Sequence, residues 1–329
     1  MKFVVSVTIS PGEFRKILEL WDESDEHRDP FAHILISPIT ASKTTFNIVK
    51  KLKQSGRSEV YFDSGGYTVQ QGKISYEELY SRLKKIYNEH QWADWYILPD
   101  HVPTSNDSLE EVENKIKDTV TAARLFVNEL PDRQKVKILP VVQGHTIPQI
   151  RYCLENYLEL GTNYIGFGSF ATMGINGGVN RLSHSSSEML KFIQKATSNM
   201  IDIHIFGITT PPILSYLYEI GVASFDSLGW NKSANYGNVY LPFLPALNVS
   251  HRGTKQSGIS HAKFEMLKHQ TQHDCPFCKD FIRIKSDYMM RRLHNLAVLL
   301  DMCELVKNKS KIPEVTKIYL PNYLKKIIN

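Results

Sequence analysis

Apolar positions along the chain fall into two alternating patterns. Short, nearly continuous runs (KFVVSVTI, HILIS, EVYFD, WYILPD, VKILPVVQG, NYIGFGS, IHIFGIT and VASFD) are separated by longer segments with apolar residues every three or four positions. The short runs read as strands covered on both faces, and the longer segments as amphipathic helices packed over them. Ser75 and Ser108 stand where N-caps belong, each with a glutamate soon after. Eight strand candidates in strand–helix alternation predict a (β/α)8 TIM-like barrel, with an open doubly wound sheet as the alternative. The helix after the eighth strand is delayed until SDYMMRRLHNLAVLLDMCELV. The intervening stretch, rich in Gly, Asn, Ser and Pro, reads as a subdomain inserted before the last helix. The expected division is residues 1–228 for barrel and active site, 229–310 for the inserted subdomain with the last helix, and 311–329 for a tail.

Composition changes this picture little. At 329 residues with 42% apolar and 22% charged residues, the chain can bury a barrel-sized core without disulfides. Its four cysteines do not form the framework of a secreted domain. No apolar run approaches the roughly 20 residues of a spanning helix. MKFVVSVTISPGEF lacks the pattern of a signal peptide. The expectation is a cytoplasmic protein without membrane contact; assembly as a homo-oligomer is left open. A net charge of +5 permits a nucleic-acid partner without demanding one. The basic residues crowd toward the C-terminus, among them Lys285, Arg291, Arg292, Lys307, Lys309, Lys311, Lys325 and Lys326. They are either phosphate contacts or a solvated helix face.

Candidate chemistry sits at the ends of the strand runs. In a barrel these ends share one mouth. The third run ends at Asp63 before Ser64-Gly65-Gly66, the fourth at Asp100, the fifth at Gln143-Gly144, and the eighth at Asp226; the sixth carries Gly166 and Gly168. One carboxylate at a strand end is commonly a cap or turn residue. Three around one mouth, with an amide and glycines, point to a site. A second constellation is His273, Cys275, Cys278 and His294. Two thiolates and two imidazoles suit tetrahedral Zn2+, and a site with four protein ligands is structural. The alternative, a redox Cys-x-x-Cys pair, has no need of flanking histidines.

The motifs DSGGY, PD followed by VP, VVQG, YIGFG and GVASFD, then the cysteine knuckle and a histidine on the following helix, resemble in order and spacing the tRNA-guanine transglycosylase superfamily. The resemblance spans roughly residues 60–300. It implies a (β/α)8 barrel with a C-terminal structural zinc site and exchange of a guanine in a polynucleotide for a free 7-deazaguanine base. By position, Asp226 matches the nucleophile and Asp63 the carboxylate that assists proton transfer. Asp100 and Gln143 match readers of the guanine edge, and the backbone from Gly166 to Gly168 its amide contact.

The chain also departs from the familiar pattern. Tyr67-Thr68 follow DSGG in place of Phe-Gln, and Gly144-His145 stand for Gly-Gly. His273 replaces a cysteine ligand. SLGWNKSANYGN stands where a tRNA-holding Pro-Thr-Arg segment is usual. These departures and the compact chain favour the divergent DNA-modifying branch. A tRNA substrate and a non-catalytic nucleic-acid-binding paralogue remain as alternatives.

The chemistry fits the residues. A carboxylate can capture the sugar carbon as guanine leaves, and a second can shuttle the proton. A carboxylate at Asp100 accepts from guanine N1–H and its exocyclic amine, a pairing adenine cannot make. Tyr67 and Phe167 are candidates to stack on the base, or else wall and core residues. Lys285, Arg291 and Arg292 are candidates to hold phosphates.

Overall fold

The computed structural model describes residues 1–130, 137–168, 183–208, 210–250 and 258–308. Its centre is a parallel barrel of nine short strands. They are β1 (Lys2–Ser6), β2 (His33–Ile36), β3 (Glu59–Phe62), β4 (Trp95–Ile97), β5 (Ile138–Leu139), β6 (Val141–Val142), β7 (Tyr164–Phe167), β8 (Asp202–Ile205) and β9 (Ser224–Ser227). The sheet runs β5-β4-β3-β2-β1-β9-β8-β7-β6. Every strand-to-strand pairing in it is parallel. β5 and β6 are one predicted run divided by Pro140, which has no N–H to give a ladder. The lower half pairs with β4 and the upper half with β7. The two ends of the sheet therefore meet across a single proline, whose carbonyl accepts the Gly166 amide at 2.8 Å. The eight predicted strands become nine without a change of fold.

Helices wrap the outside: α1 (Pro11–Asp22), α2 (Lys43–Gln54), the short α3 (Gly66–Gln70), α4 (Tyr76–Glu89), α5 (Leu109–Glu129), α6 (Ile147–Glu159), α7 (His184–Ala196), α8 (Leu214–Glu219) and α9 (Gly229–Asn235). Ser75 caps α4 by accepting from the Glu78 amide, and Ser108 forms a capping box with Glu111 on α5, both as predicted. After α9, a small antiparallel ribbon joins β10 (Asn238–Val239) to β11 (Leu247–Asn248). Then follow α10 (His261–Gln270), α11 (Phe281–Ser286) and the long α12 (Tyr288–Leu305). The predicted tail lies outside the described residues. Among them, no helix is long and apolar enough to cross a membrane.

Strand alternation sorts side chains into two cores. Val4, Leu35, Tyr61, Ile97, Leu139, Val141 and Tyr164 fill the barrel. Phe3, Val5, Ile165, Phe167, Ile203, Ile205 and Phe225 point outward under the helices. On β7 the alternation turns Gly166 inward and Phe167 outward. A methyl group at Gly166 would lie 2.4 Å from the Phe206 ring and 2.9 Å from Leu139. Gly166→Ala is therefore expected to destabilise by roughly 1–3 kcal/mol, the usual cost of overpacking. Denaturant unfolding measures this, and an unchanged midpoint would show that the barrel interior has slack.

Candidate active site and metal centre

The C-terminal ends of the strands open onto a cavity of about 520 Å3 lined by Asp63, Asp100, Gln143, Gly168 and Asp226, among others. The residues singled out at strand ends thus meet at one mouth. Asp226 continues the inward register of β9 beside Val4 of β1. Its Oδ2 accepts the Ser6 hydroxyl at 2.6 Å, and its Oδ1 accepts the Gly207 amide at 2.8 Å. His204 Nε2 lies 3.4 Å from Oδ1.

Asp63 follows β3, and its amide donates to the Ile36 carbonyl at 3.0 Å. Burial, then the negative charges of Asp226 and Asp100, push its carboxyl up to about 7; the Gly65 amide offsets part of the rise. Asp100 is also raised by burial, against the opposing effect of hydrogen bonds from Ser64 and Gln143. Those bonds measure 2.6 Å from Ser64 Oγ to Oδ1 and 2.7 Å from Gln143 Nε2 to Oδ2. Gln143 Oε1 is buried with no hydrogen-bond donor among the described residues, so the pocket floor offers a free acceptor there.

The glycines have a steric purpose. A methyl on Gly66 would sit 2.6 Å from Asp100 Oδ1, and one on Gly168 2.4 Å from Gln143 Nε2. Any side chain there would displace the two groups that line the floor. Gly65 holds a left-handed conformation, φ 77°, which turns the chain into α3 directly after Asp63.

Three expected positions differ. Phe167 is fully buried in the outer core and cannot stack on a base in the mouth. The aromatic ring from this side is Phe206, at the end of β8. Arg291, 1% exposed, gives its guanidinium to the carbonyls of Ala234, Ile284 and Lys285 at 2.8–3.0 Å. Arg292, 2% exposed, pairs with Glu13 at 2.9 Å and lies 4.6 Å from the Tyr288 ring centre. Both arginines brace the fold and are removed from the candidate phosphate contacts. Lys285 is exposed, as is Tyr67, which also lines the cavity. Lys232, in the turn of α9 just after Asp226, supplies a cation to the cavity wall. Lys309, Lys311, Lys325 and Lys326 lie outside the described residues.

Ser6, His204 and Lys232 escaped the sequence reading. Ser6 and His204 each interrupt an apolar strand run, which was a usable signal once the inward face of the barrel was known.

The second constellation also assembles. One ligand atom from each of His273, Cys275, Cys278 and His294 lies within 4.8 Å of the others, and all four residues are buried. Cys275 Sγ is 3.5 Å from Cys278 Sγ and 3.4 Å from His294 Nδ1. The outer nitrogens are engaged: His273 Nδ1 bonds Asp301, which also pairs with Arg28, and His294 Nε2 bonds the Tyr240 carbonyl at 2.8 Å. Among the described residues His273 Nε2 is left buried without a partner. A ring fixed through one nitrogen with the other orphaned toward two thiols fits a metal ligand with its supporting shell. The donor set suits zinc, which these four residues would hold with no open position.

Purified protein is expected to contain about one zinc per chain and to lose melting temperature on chelation, because binding free energy adds directly to folding. Elemental analysis and thermal melts with a chelator check this. Metal-free protein with an unchanged melt would contradict it.

No curated protein sequence matches the chain. The family profile described as queuine tRNA-ribosyltransferase matches residues 53–312, which include every strand-end carboxylate and all four candidate metal ligands. The chain belongs to this family of guanine transglycosylases, enzymes of the glycosyltransferase type that act on a nucleic acid and a free base.

Proposed function

We propose that this enzyme exchanges guanine in DNA for a free 7-deazaguanine base through a covalent bond between Asp226 and the sugar. The observation that carries the reading is the buried set of Asp63, Asp100, Gln143 and Asp226 around one cavity, with Gln143 Oε1 lacking a donor. Guanine presents N1–H and an exocyclic amine on one edge. These donors satisfy Asp100 and Gln143, whereas adenine presents an acceptor at N1 and leaves buried groups unpaired.

In the first half-reaction an Asp226 oxygen bonds C1′ while the C1′–N9 bond breaks, its electron pair leaving with guanine. Asp63, whose pKa near 7 keeps a proton available at neutral pH, protonates the departing base. In the second half, ionised Asp63 takes the N9 proton of the incoming base. N9 attacks C1′, and the ester electrons return to Asp226. One group serves as acid and then base because its pKa lies near working pH. Zinc, when bound, supplies only support to the region behind α9.

The choice of DNA rests on the segment after Asp226. A short helix with Trp230, Asn231 and Ala234 buried occupies the place of a tRNA-holding Pro-Thr-Arg, leaving Lys232, Ser233 and Tyr236 at the cavity. The family's name favours the second reading, tRNA. A paired guanine must be flipped out at a cost of a few kcal/mol, so single-stranded or mismatched guanine should react faster.

Two expectations follow from this chemistry. Asp226→Asn should lower exchange on the order of 10³-fold or more, as loss of a group acting within a catalytic unit does, while polynucleotide binding persists. The same measurements across pH should show a limb near pH 7 that Asp63→Asn abolishes. Folding stability gives an independent sign. The native state holds the Asp63 proton up to about pH 7, whereas the unfolded chain releases it near 4, so stability falls as pH rises between them. Asp63→Asn should raise the melting temperature at pH 8 and change little at pH 4. A melt unchanged at pH 8 would place Asp63 in an ordinary solvated setting.

The substrate assignment is tested by incorporation of labelled guanine or 7-deazaguanine into DNA and tRNA side by side. DNA labelling is expected, with Lys232→Ala weakening binding across sequences and lowering the salt slope by about one. Exchange on tRNA with none on any DNA overturns the DNA assignment and leaves the chemistry standing.

A further inference from the structure

A buried histidine that the mechanism above does not use lies directly beneath the nucleophile. His204 is wholly enclosed in the barrel, on the inward face of β8 and in register with Ser224 of β9. Its ring is caged, stacked 6.0 Å from Tyr61 and edge-on 4.7 Å from Phe206. The imidazole therefore cannot turn over within the packed barrel. Nδ1 lies 2.7 Å from Ser224 Oγ, and that hydroxyl also contacts the Tyr164 hydroxyl. Among the described residues Nε2 has no well-formed hydrogen bond, and it faces Asp226 Oδ1 at 3.4 Å.

The directions of these bonds follow from elementary constraints. A bare Nε2 facing a carboxylate oxygen in a buried setting would set two acceptors against each other. Nε2 therefore carries the proton, and in the neutral ring Nδ1 accepts. Ser224 must then donate its one hydroxyl proton to Nδ1 and accept from Tyr164. The chain runs one way: Tyr164 to Ser224, Ser224 to His204, His204 to Asp226.

We propose that His204 is the positioning residue for the nucleophile, donating Nε2–H to Asp226 Oδ1 and leaving Oδ2 as the atom that attacks the sugar. Oδ1 already accepts the Gly207 amide, so a second donor concentrates charge there. Among the described residues Oδ2 has only the Ser6 hydroxyl, which can swing away. In the ester, Oδ1 becomes the carbonyl oxygen and Oδ2 the bridging oxygen. When the incoming base attacks, the Oδ2–C1′ electrons return to a carboxylate already held by its donors. Such bonds are often long without substrate and tighten in the reacting complex. The proposal rests on the transglycosylase reading for its kinetic consequence, but not for its hydrogen-bond direction.

Two measurements test it. Long-range 1H–15N correlation on histidine-labelled, full-length protein reads the tautomer without any activity. A proton on Nε2 is expected; a proton on Nδ1 alone overturns the proposal. In single-turnover exchange, His204→Leu should slow formation of the covalent adduct on the order of 10²-fold, the scale of a misplaced reacting group, with KM for the free base nearly unchanged. His204→Gln, whose side-chain amide places an N–H near the former Nε2, should recover most of the rate. If Leu proves too unstable to assay, Ser224→Ala keeps the imidazole and removes only the donor to Nδ1. It should lower kcat and spare KM. Wild-type kcat in the Leu or Ala variant, or equal loss in Leu and Gln, overturns the proposal. Absence of exchange by the wild-type protein on any polynucleotide would instead fell the functional reading, with the tautomer still decided by the spectrum.

Discussion

Three carboxylates share one partly closed mouth, and their mutual repulsion together with their loss of water is the constraint to which the site is built. Each is handled differently. Asp226 receives a hydroxyl and a backbone amide. Asp100 receives a hydroxyl and a side-chain amide. Asp63 is raised to about 7 by burial and by the charges of Asp226 and Asp100, which outweigh the Gly65 amide. Different environments let carboxylates of one pocket take the different roles proposed for them.

Holding these groups requires rigidity around the mouth, and the C-terminal elements supply it on the Asp226 side. Asn295 of α12 donates to the Trp230 carbonyl at 3.1 Å and accepts the Tyr240 amide at 2.8 Å. Arg291 ties the end of α9 to α11. His294, on the same helix, faces the candidate metal centre. The candidate metal site, α12 and α9 thus form one packed unit behind Asp226. A metal with no open position would serve the chemistry by fixing this wall.

Much of this was legible in the sequence, and the exceptions have physical reasons. The strand runs and the carboxylates at their ends were visible because parallel strands buried on both faces read as unbroken apolar segments. The break at Pro140 was hidden, since a proline inside an apolar run looks continuous in hydropathy although it cannot continue a ladder. Phe167 could be placed in mouth or core from its motif, and the alternation of β7, in which adjacent residues face opposite ways, puts it in the core. Arg291 and Arg292 looked like surface charges because helical spacing predicts one buried face. Here α12 is covered on nearly every side, from Met289 to Leu299. His204 and Ser6 needed the closed barrel before a polar residue in an apolar strand acquired a partner.

The central claim is that Asp226 bonds covalently to the sugar of the target nucleotide. It is tested most directly by denaturing the enzyme with guanine-containing polynucleotide while the released base is continuously removed, then mapping the attached sugar by peptide mass spectrometry. An adduct on the peptide bearing Asp226, absent when that residue is asparagine, is the predicted result. An adduct on Asp63, or base release with no protein-bound sugar at any time, would contradict the account.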